Sequence, residues 1–159
     1  VIIVSRASEI MNSDVLSVSP DTALNEVIRI LAENKISGLP VIDETDKVVG
    51  MITEKDIIGY SEKLHIIPLI GFSGWVSPYY EVSDEKSLKE EIGILLSTKA
   101  NEVMTESIIS ISTDASWHDI VFIMRENAIN RIPVVNKEGK IMGIITRADL
   151  LNYLTQKEI

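Results

Sequence analysis

Three features of the sequence predict an α+β fold made of two tandem β-α-β-β-α units. The segment from Ala7 to Ile57 aligns without a gap with the segment from Ala100 to Leu150, at a constant offset of 93 residues that brings Pro40 onto Pro133. About a third of the paired positions are identical, and most of the rest exchange one aliphatic residue for another. Within each copy the apolar residues pass from β-branched runs to helical spacing and back, with charged turns between. Duplication of a unit of about 50 residues means that two similar modules cover each other's apolar faces, which places function in the clefts between them.

Each copy opens with a polar-apolar stretch containing Met11 or Met104, and β-branched runs follow at Val15 to Val18 and Ile108 to Ile111. These read as first strands. Behind Asp21-Thr22, and behind Asp114-Ala115-Ser116, apolar residues recur at i, i+3, i+4 and i+7: Leu24, Val27, Ile28 and Leu31, then Trp117, Ile120, Val121 and Met124. That spacing predicts an amphipathic helix, with the preceding polar residues as N-caps. Leu39-Pro40-Val41-Ile42 and Val48 to Thr53, like Ile132-Pro133-Val134-Val135 and Ile141 to Thr146, predict two strands joined by a short turn, with proline near the start of the first. A second helix is expected from Asp56 and from Asp149, burying Ile57, Ile58 and Leu64 in one copy and Leu150, Leu151 and Leu154 in the other.

The units are expected at 7–63 and 100–156, with an insertion at 64–99. Leu88, Ile92, Leu95 and Leu96 fall on one helical face and predict a helix over 84–96. The first half, Leu64 to Tyr80, gathers Phe72, Trp75, Tyr79 and Tyr80 around proline and glycine, which suits a loop packed on its own core or an aromatic flap near a ligand or a second chain.

Composition removes several functional classes. There are no cysteines, which excludes disulfides, thiolate metal sites and cysteine nucleophiles. A formal net charge of −9 repels a duplex phosphate backbone and argues against nucleic acid as a partner. No apolar run approaches the roughly 20 residues of a membrane span, and no charged-then-apolar leader opens the sequence, so a soluble, cytoplasmic protein is expected. His65 and His118 share no metal-ligand spacing with each other or with paired carboxylates, and neither a Walker loop, a dinucleotide fingerprint nor a nucleophile elbow is present. Catalysis is not expected, and neither is a required cofactor or metal.

The most specific local mark is Gly50-Met51-Ile52-Thr53-Glu54-Lys55-Asp56, repeated in register as Gly143-Ile144-Ile145-Thr146-Arg147-Ala148-Asp149. With the apolar-Pro-Val strand and the helical heptad before each copy, this resembles the CBS domain, and the pair resembles a Bateman module. The resemblance covers both repeats in full. It implies three-stranded sheets packed with helices about a pseudo-twofold axis, and two clefts that take AMP, ADP, ATP or S-adenosylmethionine-type ligands. It also implies a homodimer, a regulatory role and an effector protein that reads the ligand. The residue chemistry is intelligible: a carboxylate at a helix start accepts hydrogen bonds from ribose hydroxyls, and the threonine hydroxyl and helix-start N–H groups can meet a phosphate.

By the same resemblance, one cleft combines Thr53 and Asp56 with Ile129, Asn130 and Arg131, and with Met104 and Ile109 at its base. The other combines Thr146, Arg147 and Asp149 with Ile36, Ser37 and Gly38, and with Met11 and Leu16 at its base. Arg131 stands where the other copy has Gly38. The Asp56 cleft is therefore expected to prefer AMP, ADP or ATP, and the Asp149 cleft either to stay empty or to favour ligands of lower negative charge such as S-adenosylmethionine or methylthioadenosine, with Arg147 as the residue that could reverse the order.

Overall fold

The computed structural model describes residues 5–64 and 85–156; the aromatic segment from Phe72 to Tyr80 lies outside them. In chain order the elements are α1 (Ala7–Ile10), α2 (Leu24–Asn34), β1 (Gly38–Ile42), β2 (Val48–Thr53), α3 (Glu54–Lys63), α4 (Glu85–Ser97), α5 (Ala100–Val103), β3 (Ile111–Ser112), α6 (Trp117–Glu126), β4 (Arg131–Val135), β5 (Ile141–Thr146) and α7 (Arg147–Gln156). Both repeats therefore give helix, hairpin and second helix in the predicted order. Among the described residues no helix is long and apolar enough to cross a membrane.

The first strands are shorter than the β-branched runs suggest. In the second copy β3 is two residues long and pairs in parallel with Val134 and Val135, making a three-stranded sheet ordered β3-β4-β5. Among the described residues of the first copy, an isolated parallel bridge, Val18 to Val41, stands beside the two-stranded β1-β2 sheet, one named strand short of three. Proline sits inside β1 and β4 rather than at their starts. The parallel ladder begins just past Pro133, at Val134, so β3 requires no N–H from the proline.

Residues Leu24, Val27 and Leu31 of α2 and Ile120 and Met124 of α6 are buried, as the heptads predict. The caps differ between the copies. Ser116 caps α6 by accepting from the Asp119 N–H, and the Asp119 carboxylate returns the bond to the Ser116 N–H. At α2 the N-cap position is Ala23, which has no side-chain acceptor; Thr22 instead accepts from the Ser19 N–H. Both helices end in a Schellman turn. The N–H of Ile36 reaches the Leu31 carbonyl and that of Lys35 the Ala32 carbonyl, matched by Ile129 to Met124 and Ala128 to Arg125. The left-handed residue of each turn is not glycine: Lys35 has φ +52° and Ala128 φ +51°.

The described residues divide into two compact units that are not the two sequence repeats. One gathers those of Val1–Ser17, Ile42–Val49 and Ser107–Ile159, the other those of Val18–Val41 and Gly50–Glu106. The repeats have exchanged their opening segments. Helix α1, from the first copy, packs on α6, α7 and β5 and contributes Ala7 and Ile10 to a core with Ile111, Ile120, Met124, Ile132, Val134, Ile145 and Leu150. In the other unit α5, from the second copy, packs on α3, with Ala100 fully buried. The exchange also explains why the opening stretches are not strands of their own repeat: each leaves to complete the partner unit's core.

Helix α4 spans Glu85–Ser97, close to the predicted 84–96, and packs on α2; Leu95 is buried and Leu96 is exposed. The second helices begin earlier than expected, at Glu54 and Arg147, which puts each Asp at the third helical position. Ile57 and Leu150 are buried, whereas Ile58, Leu151 and Leu154 are 40%, 64% and 45% exposed, contrary to the predicted burial.

Candidate functional site

Each second helix starts directly from the last residue of a hairpin, and Thr53 and Thr146 serve as the N-cap positions. The Asp56 Oδ2 accepts from the Thr53 N–H at 2.9 Å and from the Thr53 hydroxyl at 2.9 Å, while the Thr53 Oγ1 accepts from the Asp56 N–H at 3.3 Å. At the other helix the same three bonds measure 2.8, 3.0 and 3.3 Å between Thr146 and Asp149. This reciprocal box fixes the carboxylate's orientation and occupies Oδ2, leaving Oδ1 as the acceptor that can face a ligand.

The box also limits what the helix start can offer an anion. The threonine hydroxyl hydrogen is donated to the carboxylate, so the hydroxyl presents only a lone pair, and the expected bond to a phosphate would cost the cap. Glu54 N–H is held by the Ser37 carbonyl at 2.9 Å and Arg147 N–H by the Asn130 carbonyl at 3.1 Å. With Asp56 N–H and Asp149 N–H spent on the threonines, Lys55 N–H and Ala148 N–H are the groups of the first turn left for a ligand.

These backbone bonds also place the stretches before the prolines. Within one unit Ser37 lies against the start of α3, and within the other Asn130 lies against the start of α7. Arg131 is half-buried as the first residue of β4, and Gly38 is buried as the first of β1.

Each hairpin is backed by an exchanged methionine. A Cβ built on Gly143 would lie 2.5 Å from the Met11 Sδ and 2.7 Å from its Cγ, and one on Gly50 would lie 2.9 Å from the Met104 Cγ with its Sδ closer still. At both positions a Cβ would crowd the methionine side chain, so glycine gives it room. Flanking bonds hold the methionines in place: Asn12 and Ile144 exchange N–H to carbonyl bonds at 2.9 and 3.0 Å, and Met51 and Thr105 do so at 3.0 and 2.8 Å. Met104 thus shares a unit with Thr53 and Asp56, and Met11 with Thr146 and Asp149. Ile109 packs with Met11 against the core of its unit, and Leu16 is 44% exposed.

One polar residue at the site escaped the sequence reading. The Thr105 hydroxyl donates to the Asp56 Oδ1 at 3.3 Å. Its counterpart one repeat earlier is Asn12, whose Oδ1 accepts from the Asp14 N–H at 3.0 Å instead. The aligned Met104-Thr105 and Met11-Asn12 pairs carried the signal. Charge differs too, since the first residue of α3 is Glu54 and that of α7 is Arg147, both exposed. No group of histidine and carboxylate side chains among the described residues could hold a metal ion. A shallow groove beside Ser110, Asp119 and Phe122 includes none of the candidate residues.

The CBS-domain model matches residues 7–63 and 100–156. The chain belongs to the CBS-domain family. Among curated relatives, the Methanocaldococcus jannaschii protein MJ1426 is 36% identical over 138 residues, covering 84% of this chain and 82% of that protein. The inosine-5'-monophosphate dehydrogenase of the same organism is 29% identical and covers 93% of this chain, but this chain spans only 23% of the dehydrogenase. Of solved structures, the Arabidopsis thaliana protein CBSX2 in complex with AMP superposes with a TM-score of 0.71 at 22% identity, over 96% of this chain and 97% of that one. The CBS domain pair of MJ0100, in complex with 5'-methylthioadenosine and S-adenosyl-L-methionine, gives 0.70 at 20% identity over 98% and 99%. At these identities the likeness establishes the fold.

Proposed function

We propose that this CBS pair is a regulatory module that takes adenosine-containing ligands, AMP, ADP, ATP or the S-adenosylmethionine type, and performs no chemistry on them. The observation that carries this reading is the doubled Thr-Asp box: the bonds from Thr53 and Thr146 to Oδ2 orient the carboxylates of Asp56 and Asp149, whose Oδ1 atoms keep acceptor capacity for ribose hydroxyls. The ligands bound by CBSX2 and by the MJ0100 domain pair support adenosine as the common part. The wider residue sets expected from the resemblance belong to this proposal, and in it Arg131 supplies a contact to phosphate.

The proposal includes a homodimer in the cytoplasm that signals to an effector protein. Helix α7 presents Leu151 and Leu154, three residues apart and 64% and 45% exposed, as an apolar strip suited to a second copy of the chain. The same strip favours a second reading, a dimerisation module that takes no ligand. A thermal-shift panel of adenosine, AMP, ATP, S-adenosylmethionine and methylthioadenosine separates the two. Stabilisation that grows with ligand concentration supports the regulatory module, and unchanged melting across the panel supports the ligand-free one.

A further inference from the structure

The two ribose anchors are not equivalent. Asp56 has both oxygens engaged, Oδ2 by Thr53 and Oδ1 by the Thr105 hydroxyl at 3.3 Å. Asp149 has Oδ2 engaged by Thr146, while Asn12, which stands in the place of Thr105, turns its side-chain oxygen to the Asp14 N–H. We infer that Thr105 is a specificity-determining residue that competes with a ligand for the Asp56 Oδ1, so that the first molecule of a neutral nucleoside settles at Asp149. This rests on the reading of the two aspartates as ribose anchors.

A ligand hydroxyl at the Asp56 Oδ1 shares that oxygen with the Thr105 hydroxyl, which takes one of its lone pairs and weakens it as an acceptor, whereas among the described residues no side-chain hydroxyl donates to the Asp149 Oδ1. The Thr105 bond is charge-assisted, yet it is long for an O–H···O contact and exposed to water, so its loss is worth roughly a three- to tenfold change in affinity. Thr105 is held in place by its backbone bonds to Met51, so removal of the hydroxyl leaves the segment anchored. The charged neighbours at the two helix starts, Glu54 and Arg147, are best kept out of the comparison by a ligand without phosphate.

The test is calorimetric titration of the full chain with adenosine. Wild-type protein is expected to show two binding events, the tighter lost in Asp149→Ala and the weaker in Asp56→Ala. Thr105→Ala should tighten the weaker event about three- to tenfold, and Thr105→Ser, which keeps the hydroxyl, should leave it unchanged. Asn12→Thr should weaken the tighter event by a comparable factor. A weaker or unchanged second event in Thr105→Ala, or loss of the tighter event in Asp56→Ala, would overturn the inference while leaving the ribose reading standing. Adenosine binding that survives intact in the Asp56→Ala, Asp149→Ala double variant, or that is absent from the wild type, would overturn both.

Discussion

Replacing Gly50 by alanine adds a single methyl group where an exchanged methionine already sits. The new Cβ would lie 2.9 Å from the Met104 Cγ, closer still to its Sδ, and 3.2 Å from the Thr105 carbonyl oxygen. The side-chain part of this clash is relieved by a shift of the Met104 side chain, and overpacking of this kind costs about 1–3 kcal/mol. At roughly 2–4 °C per kcal/mol for a chain of this size, the melting point should fall by about 2–12 °C. In a Met104→Ala background the Cγ and Sδ are gone and the nearest remaining contact is the 3.2 Å carbonyl oxygen, so most of the Gly50→Ala penalty should vanish. The corresponding cycle in the other unit should behave differently. A Cβ on Gly143 also meets the Met11 Cβ at 2.9 Å, an atom that Met11→Ala retains, so relief there is partial. Urea denaturation of the four proteins in each cycle measures the coupling directly. A Gly50→Ala penalty that is the same with and without Met104 would refute the assignment of these methionines as the reason for the glycines.

Other expectations follow from the same geometry. Ala128→Gly should stabilise by about 0.5–1 kcal/mol in chemical denaturation, because φ +51° costs an L-residue more than glycine loses in chain entropy; Lys35→Gly should act alike. Ser116→Ala, which removes the α6 cap, should cost about 0.5–2 kcal/mol, whereas Ala23→Ser should add a cap to α2 and raise the melting temperature. The Glu26 carboxyl is held below the usual carboxylate range by its bonds to Arg29, so its contribution is present above the unfolded-state value and is lost as pH falls through the folded one; NMR titration should show the low midpoint, and Arg29→Ala should raise it. Arg131→Ala should weaken AMP and leave adenosine nearly unchanged in calorimetry, whereas equal losses for both would remove its phosphate role.

Sequence reading reaches the element order and the paired Thr and Asp positions because both are local: helical period, turn chemistry and residues three apart all lie within one short stretch. It does not reach the exchange of the opening segments. Nothing in the stretch Ala7 to Asn12 indicates that its bonds go to Ile144 rather than to its own repeat, since that choice is made by tertiary packing on α6 and α7. The same limit explains Ile58, Leu151 and Leu154: hydrophobicity marks them as core, but which helix face is covered depends on neighbours far along the chain. At the site, the motif identifies Asp56 and Asp149, but the division of labour between Oδ1 and Oδ2, and the entry of Thr105, exist only once the cap and the exchanged segment are in place.

Calorimetric titration of AMP into the wild type and the Asp56→Ala, Asp149→Ala double variant, with circular dichroism to confirm that the variant is folded, tests the central claim most directly. The account predicts saturable binding to the wild type and a loss of at least about tenfold in affinity in the variant, as expected for charge-assisted bonds worth roughly 1.5–3 kcal/mol each. A folded double variant that binds AMP with unchanged affinity and stoichiometry would contradict it.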